Sequence, residues 1–284
     1  MVNEDAIVRV YNLHGDFSQF SLGKVCSFYF ALTNRQEAEN AKVRDCRFYP
    51  TGLVALLQTS QLVTSQYNPP QPRLLASPSP HESVVSWAVI PPQSSTRHVE
   101  VLLATRNTIL VADQVEIQDQ LLQQGPFSHM ALSPNGKFLA LYTSSNGSGR
   151  VWVVYSDFQK GISDFTIPAG TNADGPVRQI GWVGDDAVAI TWEGGRVVVM
   201  GPTGGYLEYI YNEGVWILEE VDGLRIYSSN TCEFVQKVAG ISSVAESVLI
   251  SRYQRGYIQG GKFVTFGSAF RRTGSSGTPE CKSR

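Results

Sequence analysis

A chain of 284 residues, 42% hydrophobic and 17% charged, carries enough apolar material for a large core, and its formal charge of −2 gives no reason to expect a nucleic-acid ligand. No apolar run approaches the roughly 20 residues needed to span a bilayer. Met1-Val-Asn-Glu-Asp5 is acidic where a secretory signal is basic and then apolar, so the reading is of a soluble, cytosolic protein.

In chain order, the first strong element is a strand at Ala6-Ile-Val-Arg-Val-Tyr11. It lies only five residues in, without the preceding strands of its sheet, so the chain is expected to begin inside a repeat unit. First-strand positions then follow near Phe48, Trp87, Ala131 and Gly181, about 40, 44 and 50 residues apart. Between them fall strands at Leu53–Gln58, Val99–Ala104, Thr108–Ala112, Phe138–Thr143, Val151–Tyr155, Ala187–Trp192 and Arg196–Met200. Asn68–Arg73 and Ser77–Pro80 are too rich in proline for a central strand and read as a surface loop. Ser77 and Ser79 each precede a proline, which makes them candidate phosphorylation sites beside the plainer reading of a loop. Gln118–Gln124 is read as one helical turn.

The clearest pattern is a strand-hairpin unit written twice, at Met130–Tyr142 with Arg150–Tyr155 and at Ile180–Trp192 with Arg196–Met200. Asn135-Gly136 predicts a type I′ turn within a Ser133–Leu139 hairpin, and Asp185-Asp186 marks the second tight turn. One such meander exposes an apolar face and must stack on neighbours. Regular short strands indicate a sandwich or a propeller, and the 40–50-residue spacing favours the β-propeller.

Residues 241–284 hold seven Lys or Arg against two Glu, leaving about −7 on the first 240. We therefore expect a partial propeller over 1–240 and a basic, Gly/Ser-rich, loosely packed or disordered tail over 241–284. Ser247–Ile250 and Lys262–Phe266 are read as isolated strands within that tail.

No constellation of reactive side chains stands out. His14, His81, His98 and His129 show no metal-ligand spacing, and His14 reads as a hydrogen-bonding turn residue. Cys26, Cys46, Cys232 and Cys281 form no Cys-x-x-Cys pair and read as buried free thiols. The glycines of Gly194–Gly205 lack the Lys-Ser/Thr end of a phosphate loop and read as hairpin turns. Asp185-Asp186 and Glu219-Glu220 are adjacent carboxylates, which in a strand point to opposite faces, so they read as solvated. No Gly-x-Ser-x-Gly elbow occurs, and the sequon at Asn146 is idle in a cytosolic chain. Trp87, Trp152, Trp182, Trp192 and Trp216 read as filling between sheets, with hot-spot anchoring as the alternative. Along Arg150–Tyr155, Val151, Val153 and Tyr155 share one face, while Trp152 and Val154 share the other.

Several segments resemble one family. Asp5-Ala-Ile-Val-Arg-Val-Tyr-Asn-Leu-His-Gly-Asp-Phe17 with Ser21-Leu-Gly23 is similar to the N-terminal propeller region of the vacuolar protein sorting-associated protein 16 family. So are Ala187–Trp192, Arg196–Gly201, Glu219–Ser228 and Glu233-Phe234, in the same order; the resemblance covers roughly residues 1–238. It implies an all-β, WD40-like propeller of seven blades in the family. Here it would be present as an incomplete, open arc of about five to six blades, truncated at both ends and prone to aggregate.

By function, the resemblance implies a non-catalytic scaffold of the class C tethering complexes HOPS and CORVET, acting in intracellular protein transport and vesicle fusion between endosome and vacuole. Its partners would be the other class C subunits. The SM-type SNARE regulator would bind only through an α-solenoid not contained in this chain. No catalytic, cofactor or metal residues are implied, and localisation would be cytoplasmic and peripheral to endosomal and vacuolar membranes. The alternatives are a peptide- or protein-binding propeller adaptor of another lineage and a propeller enzyme with an axial site.

Overall fold

The structure is a computed structural model. It describes residues 2–3, 6–12, 14–22, 42–79, 82–92, 98–122, 124–145, 148–167, 174–201, 204–220, 222–237 and 248–252. They form two compact units, one of Met1–Leu132, Gly136–Gly161 and Thr166–Ala169, the other of Ser133–Asn135, Ile162–Phe165 and Gly170–Arg284.

The first unit opens with a two-stranded sheet, β1 (Ile7–Tyr11) and β2 (Phe17–Ser21). Three four-stranded antiparallel meanders follow. The first is β3 (Val43–Tyr49), β4 (Gly52–Leu57), β5 (Leu62–Gln66) and β6 (Arg73–Leu74). The second is β7 (Ser86–Ile90), β8 (Glu100–Ala104), β9 (Ile109–Ala112) and β10 (Ile117–Asp119). The third is β11 (His129–Leu132), β12 (Phe138–Ser145), β13 (Ser148–Tyr155) and β14 (Gly161–Thr166), of which Ile162–Phe165 count with the second unit.

The second unit contains β15 (Val177–Val183), β16 (Ala187–Trp192), β17 (Arg196–Met200) and β18 (Tyr206–Ile210). Its second sheet is β19 (Trp216–Glu220), β20 (Gly223–Tyr227), β21 (Cys232–Lys237) and β22 (Val248–Arg252). In all five sheets sequence neighbours are sheet neighbours, which is the meander that the repeat predicts. All four expected first-strand positions open a sheet.

The second strands show why the sequence folds this way. β4 is buried along its whole length, and its alternation splits it between two cores. Val54 and Leu56 pack with Trp87, Val101 and Leu103 of the following sheet. Leu53, Ala55 and Leu57 pack with Val8 and Leu22 of the hairpin sheet. β8 repeats the device, with Val101 and Leu103 on one side and Leu102 and Ala104 on the other, against Leu139, Leu141 and Val154. In the second unit, Ala187, Ala189, Val197 and Val199 pack on Ile217, Leu224, Ile226 and Val235. A strand buried on both faces needs apolar residues at every position, which is why these runs read as continuous Val, Leu and Ala. Trp152 and Val154 follow the same logic: both join the core of the first unit, and Trp152 stacks on Phe127 at 6.3 Å.

Three local expectations are corrected. Asn135-Gly136 is not the centre of a type I′ turn: five residues, Ser133–Lys137, join β11 to β12, and Gly136 has φ +72° while Asn135 is not among the residues of positive φ. Pro134 restricts φ to negative values, which suits a longer type I connection with glycine taking the left-handed position. Among its described residues, Gln118–Gln124 is not helical. Ile117–Asp119 is the edge strand β10, and Leu121 sits at φ +52°, which no right-handed helix admits. The strand expected at Ser247–Ile250 is β22, and it is not isolated, because Val248–Arg252 pairs with β21 from Lys237 to Glu233.

Among its described residues, which leave out Pro80, the proline-rich stretch is loop apart from β6, and β6 is an edge strand, where proline neighbours are tolerated. Lys262–Phe266, Cys26, Cys281, His81 and Asn146 lie outside the described residues.

Candidate functional site

The first strands of adjacent sheets are joined by side chains that local pattern does not advertise, and the same arrangement occurs in each unit. In β3 the register slips between Val43 and Asp45, leaving Arg44 as an extra residue; in β15 it slips between Val177 and Gln179, leaving Arg178. Such a bulge re-aims the side chains beside it.

After each bulge a polar side chain reaches the second residue of the next sheet's first strand. Asp45 Oδ2 accepts the Trp87 Nε1–H at 2.8 Å, and Gln179 Oε1 accepts the Ile217 N–H at 2.9 Å. The bulged arginines reach the approach to the same strands. Arg44 Nη2 donates to Val84 O at 3.4 Å, and the Arg178 guanidinium lies 4.4 Å above the Trp216 ring. Val43-Arg-Asp and Val177-Arg-Gln are the sequence signal for this clasp, legible only once the two strands are aligned on their bulges.

Other junction contacts follow the same principle. Arg47 stacks 5.5 Å over Trp87. The Trp182 N–H donates to Glu219 Oε1 at 2.7 Å. Packing against β15 pushes the Glu219 carboxyl above its usual range, an effect partly offset by that N–H, although the residue as a whole remains open to solvent. Glu220 turns the other way and pairs with Arg225 through both carboxylate oxygens, which holds its carboxyl low. The two adjacent glutamates thus serve different contacts, as strand alternation requires.

The remaining sequence candidates are scattered. His14 donates its backbone N–H to Asn12 Oδ1 in the β1–β2 turn. His98 lies 3.2 Å from Glu100. His129 Nδ1 is 3.0 Å from Ser128 Oγ, and burial pushes its imidazole below the ordinary value of 6.5. Among the described residues no three His, Cys, Asp or Glu side chains gather as a metal site. Cys46 and Cys232 are half-buried free thiols. Burial, reinforced by Asp45, raises the Cys46 thiol to about 11, so it stays protonated and unreactive at neutral pH.

Asp185, expected as a solvated turn residue, is exposed but accepts the Asn135 N–H at 3.0 Å within the second unit. Within Gly194–Gly205, Gly195 and Gly204 have φ of +90° and +84°, as hairpin turns require.

Of the tryptophans, Trp87, Trp182 and Trp192 are buried and Trp152 is half-buried, whereas Trp216 is 45% exposed. Leu218, two positions along β19, is 52% exposed, and Phe48 on β3 is 58% exposed. These apolar groups on first strands are suited to contact with another macromolecule rather than to proton or group transfer.

Meanders of four strands stacked face to face define the β-propeller class, and solved structures agree. The chain matches the Dos1 propeller with a TM-score of 0.54 at 9% identity, covering 82% of this chain and 63% of that one. It matches Sqt1 of Saccharomyces cerevisiae with a TM-score of 0.55 at 13% identity, covering 85% and 67%. Identities this low establish the fold alone.

The family described as Vps16, N-terminal region matches residues 1–249, and the chain belongs to that family. A probable vacuolar protein sorting-associated protein 16 homolog of Schizosaccharomyces pombe is 34% identical over 245 residues, 84% of this chain and 27% of the relative. Protein VACUOLELESS1 of Arabidopsis thaliana is 27% identical over 83% of this chain and 28% of its own length. The chain therefore spans little more than a quarter of these relatives. Among the described residues, no helix is long and apolar enough to cross a membrane.

Proposed function

We propose that this chain is a non-catalytic scaffold and interaction module in vacuolar protein sorting. It would act within an endosome–vacuole tethering complex of the HOPS or CORVET kind and contact the other class C subunits. It would be cytoplasmic and held at the membrane through that complex. Residues 1–240 would be the propeller module, completed by β22 (Val248–Arg252), and the rest of 241–284 a separate basic segment. The observation that carries the reading is the family match over residues 1–249, together with 34% identity to a relative named for vacuolar protein sorting.

The chemistry supports it in two ways. Among the described residues, His14, His129, Asp185, Glu219 and Glu220 are spent on contacts that hold turns and sheets together. Phe48, Trp216 and Leu218 leave apolar surface on first strands, the kind of anchor an assembly surface uses.

The test is affinity purification of the tagged chain beside a tagged full-length relative, with the recovered proteins identified by mass spectrometry. The proposal expects the long form to recover the other sorting-complex subunits. It expects the short chain to recover fewer of them, since it spans little more than a quarter of its relatives' length. Absence of those subunits from the long-form sample would remove the proposal.

A further inference from the structure

The loop between β6 and β7 contains two chemically equivalent steps, Ser77-Pro78 and Ser79-Pro80, and the fold treats them differently. The Ser77 hydroxyl is engaged on both sides, accepting the Leu62 N–H at 2.9 Å and donating to Leu75 O at 3.1 Å. It bolts the loop to the start of β5, and Pro78 beside it is buried. The Ala76 N–H, bonded to Asp113 O at 2.8 Å, fixes the same stretch to the neighbouring sheet.

Ser79 lies beyond these anchors with its side chain exposed. Among the described residues the backbone bond at this position is from Glu82 N–H to Ser79 O, 2.9 Å, within the loop itself. Presenting Ser79 in extended form to another protein opens this turn and leaves the sheets intact. Presenting Ser77 breaks the loop away from β5.

We propose that Ser79 is a phosphorylation site for a proline-directed serine/threonine kinase, and that folding withholds Ser77 from the same enzyme. The Ser79 Oγ attacks the γ-phosphorus of ATP, the bond from that phosphorus to the β,γ-bridging oxygen breaks, and ADP leaves. The hydroxyl proton passes to the kinase's catalytic carboxylate. The product carries close to two negative charges at neutral pH on a surface loop beside Glu82, which alters the charge of this face without burying any of it.

The experiment incubates the full chain with a proline-directed kinase and ATP and maps the phosphate by peptide mass spectrometry. A synthetic peptide of residues 73–86 is treated in parallel. The peptide is expected to be labelled at both serines, and the folded chain at Ser79 at least about tenfold faster than at Ser77, because Ser77 becomes available only through local opening. Ser79→Ala abolishes labelling of the 73–86 stretch of the folded chain on that time scale, with any phosphate at the other proline-directed steps, Ser133-Pro134 and Thr278-Pro279, mapped separately. Equal labelling of Ser77 and Ser79 in the folded chain overturns the proposal, as does a folded chain unlabelled at Ser79. A peptide refused at Ser79 overturns it too, since the sequence is then no substrate.

Discussion

The indole Nε1–H of Trp87 donates to Asp45 Oδ2 at 2.8 Å, tying the first strand of one four-stranded sheet to the first strand of the next. Asp45 is committed on its other oxygen as well, where Oδ1 accepts the Cys46 N–H at 2.7 Å, and Arg47 lies 3.5 Å from Oδ2 while stacking on the same indole. Trp87→Phe keeps a ring in the core and deletes the donor. We expect a loss of about 1–2 kcal/mol, read as a lower urea midpoint at unchanged slope. Trp87→Ala also empties the ring's volume and is expected to cost about 3–5 kcal/mol. In a double-mutant cycle, Asp45→Ala and Trp87→Phe should couple; additive effects would show the bond to be unimportant.

Gly195 and Gly204 allow a test of crowding against backbone strain. Both have positive φ, yet a Cβ on Gly195 would overlap the carbonyl oxygens of Glu213 and Tyr211, while one on Gly204 meets nothing within 4 Å. Gly204→Ala is expected to cost about 1 kcal/mol from conformation alone. Gly195→Ala should cost about 1–3 kcal/mol more, because backbone atoms have to shift. Comparable melting temperatures for the two variants would contradict the packing described around Gly195.

Arg196 sits 4.9 Å over the Trp192 ring and is only 4% exposed, with Nε 2.7 Å from Glu208 Oε1 and Nη1 3.3 Å from Asp174 Oδ2. Arg196→Ala leaves two partly sheltered carboxylates without this partner. The expected cost is about 3 kcal/mol, at the lower end for breaking a buried pair because both acids keep some water. Arg196→Lys should recover only part of it, since a lysine cannot serve both acids while lying flat on the indole. Full recovery by lysine in chemical denaturation would argue against that geometry.

His129 gives a pH dependence of defined sign. Burial lowers its folded-state pKa below 6.5, so between that lowered value and 6.5 the unfolded chain binds more protons. Its contribution is fully present above about pH 6.5 and is lost as pH falls through the window down to the folded value. The melting temperature should therefore drop on going from pH 7 to pH 5, less steeply in His129→Gln. An NMR titration placing the His129 pKa above 6.5 would contradict the assignment.

Much of the fold is legible in the sequence because inner strands such as β4, β8, β16 and β17 are buried on both faces. Ala187–Trp192 and Arg196–Met200 are read with their observed bounds, since runs of Val, Ile and Ala at every position leave few other structures open to them. The turns are less legible. At Asn135-Gly136 the dipeptide signal was outweighed by Pro134, and at Gln118–Gln124 a polar run concealed a short edge strand that needs no alternation. The contacts between sheets were the least legible. Asp45 with Trp87, Gln179 with Ile217 and Glu219 with Trp182 lie dozens of residues apart, and a carboxylate or amide in a strand looks the same whether water or a distant N–H satisfies it. The family resemblance, carried by Tyr11–Phe17 and Glu219–Ser228, supplied a functional expectation that strand periodicity does not contain.

The central claim is that this propeller serves vacuolar protein sorting as a scaffold. The most direct measurement replaces the region of the Schizosaccharomyces pombe relative that aligns with this chain by residues 1–249, in cells lacking that relative, and follows delivery of a vacuolar hydrolase. The account predicts that the chimera restores delivery to at least about half the normal level, as expected when family members share an equivalent assembly surface. A chimera that is expressed, stable and present at the normal level yet leaves delivery at the level of the deletion would contradict it.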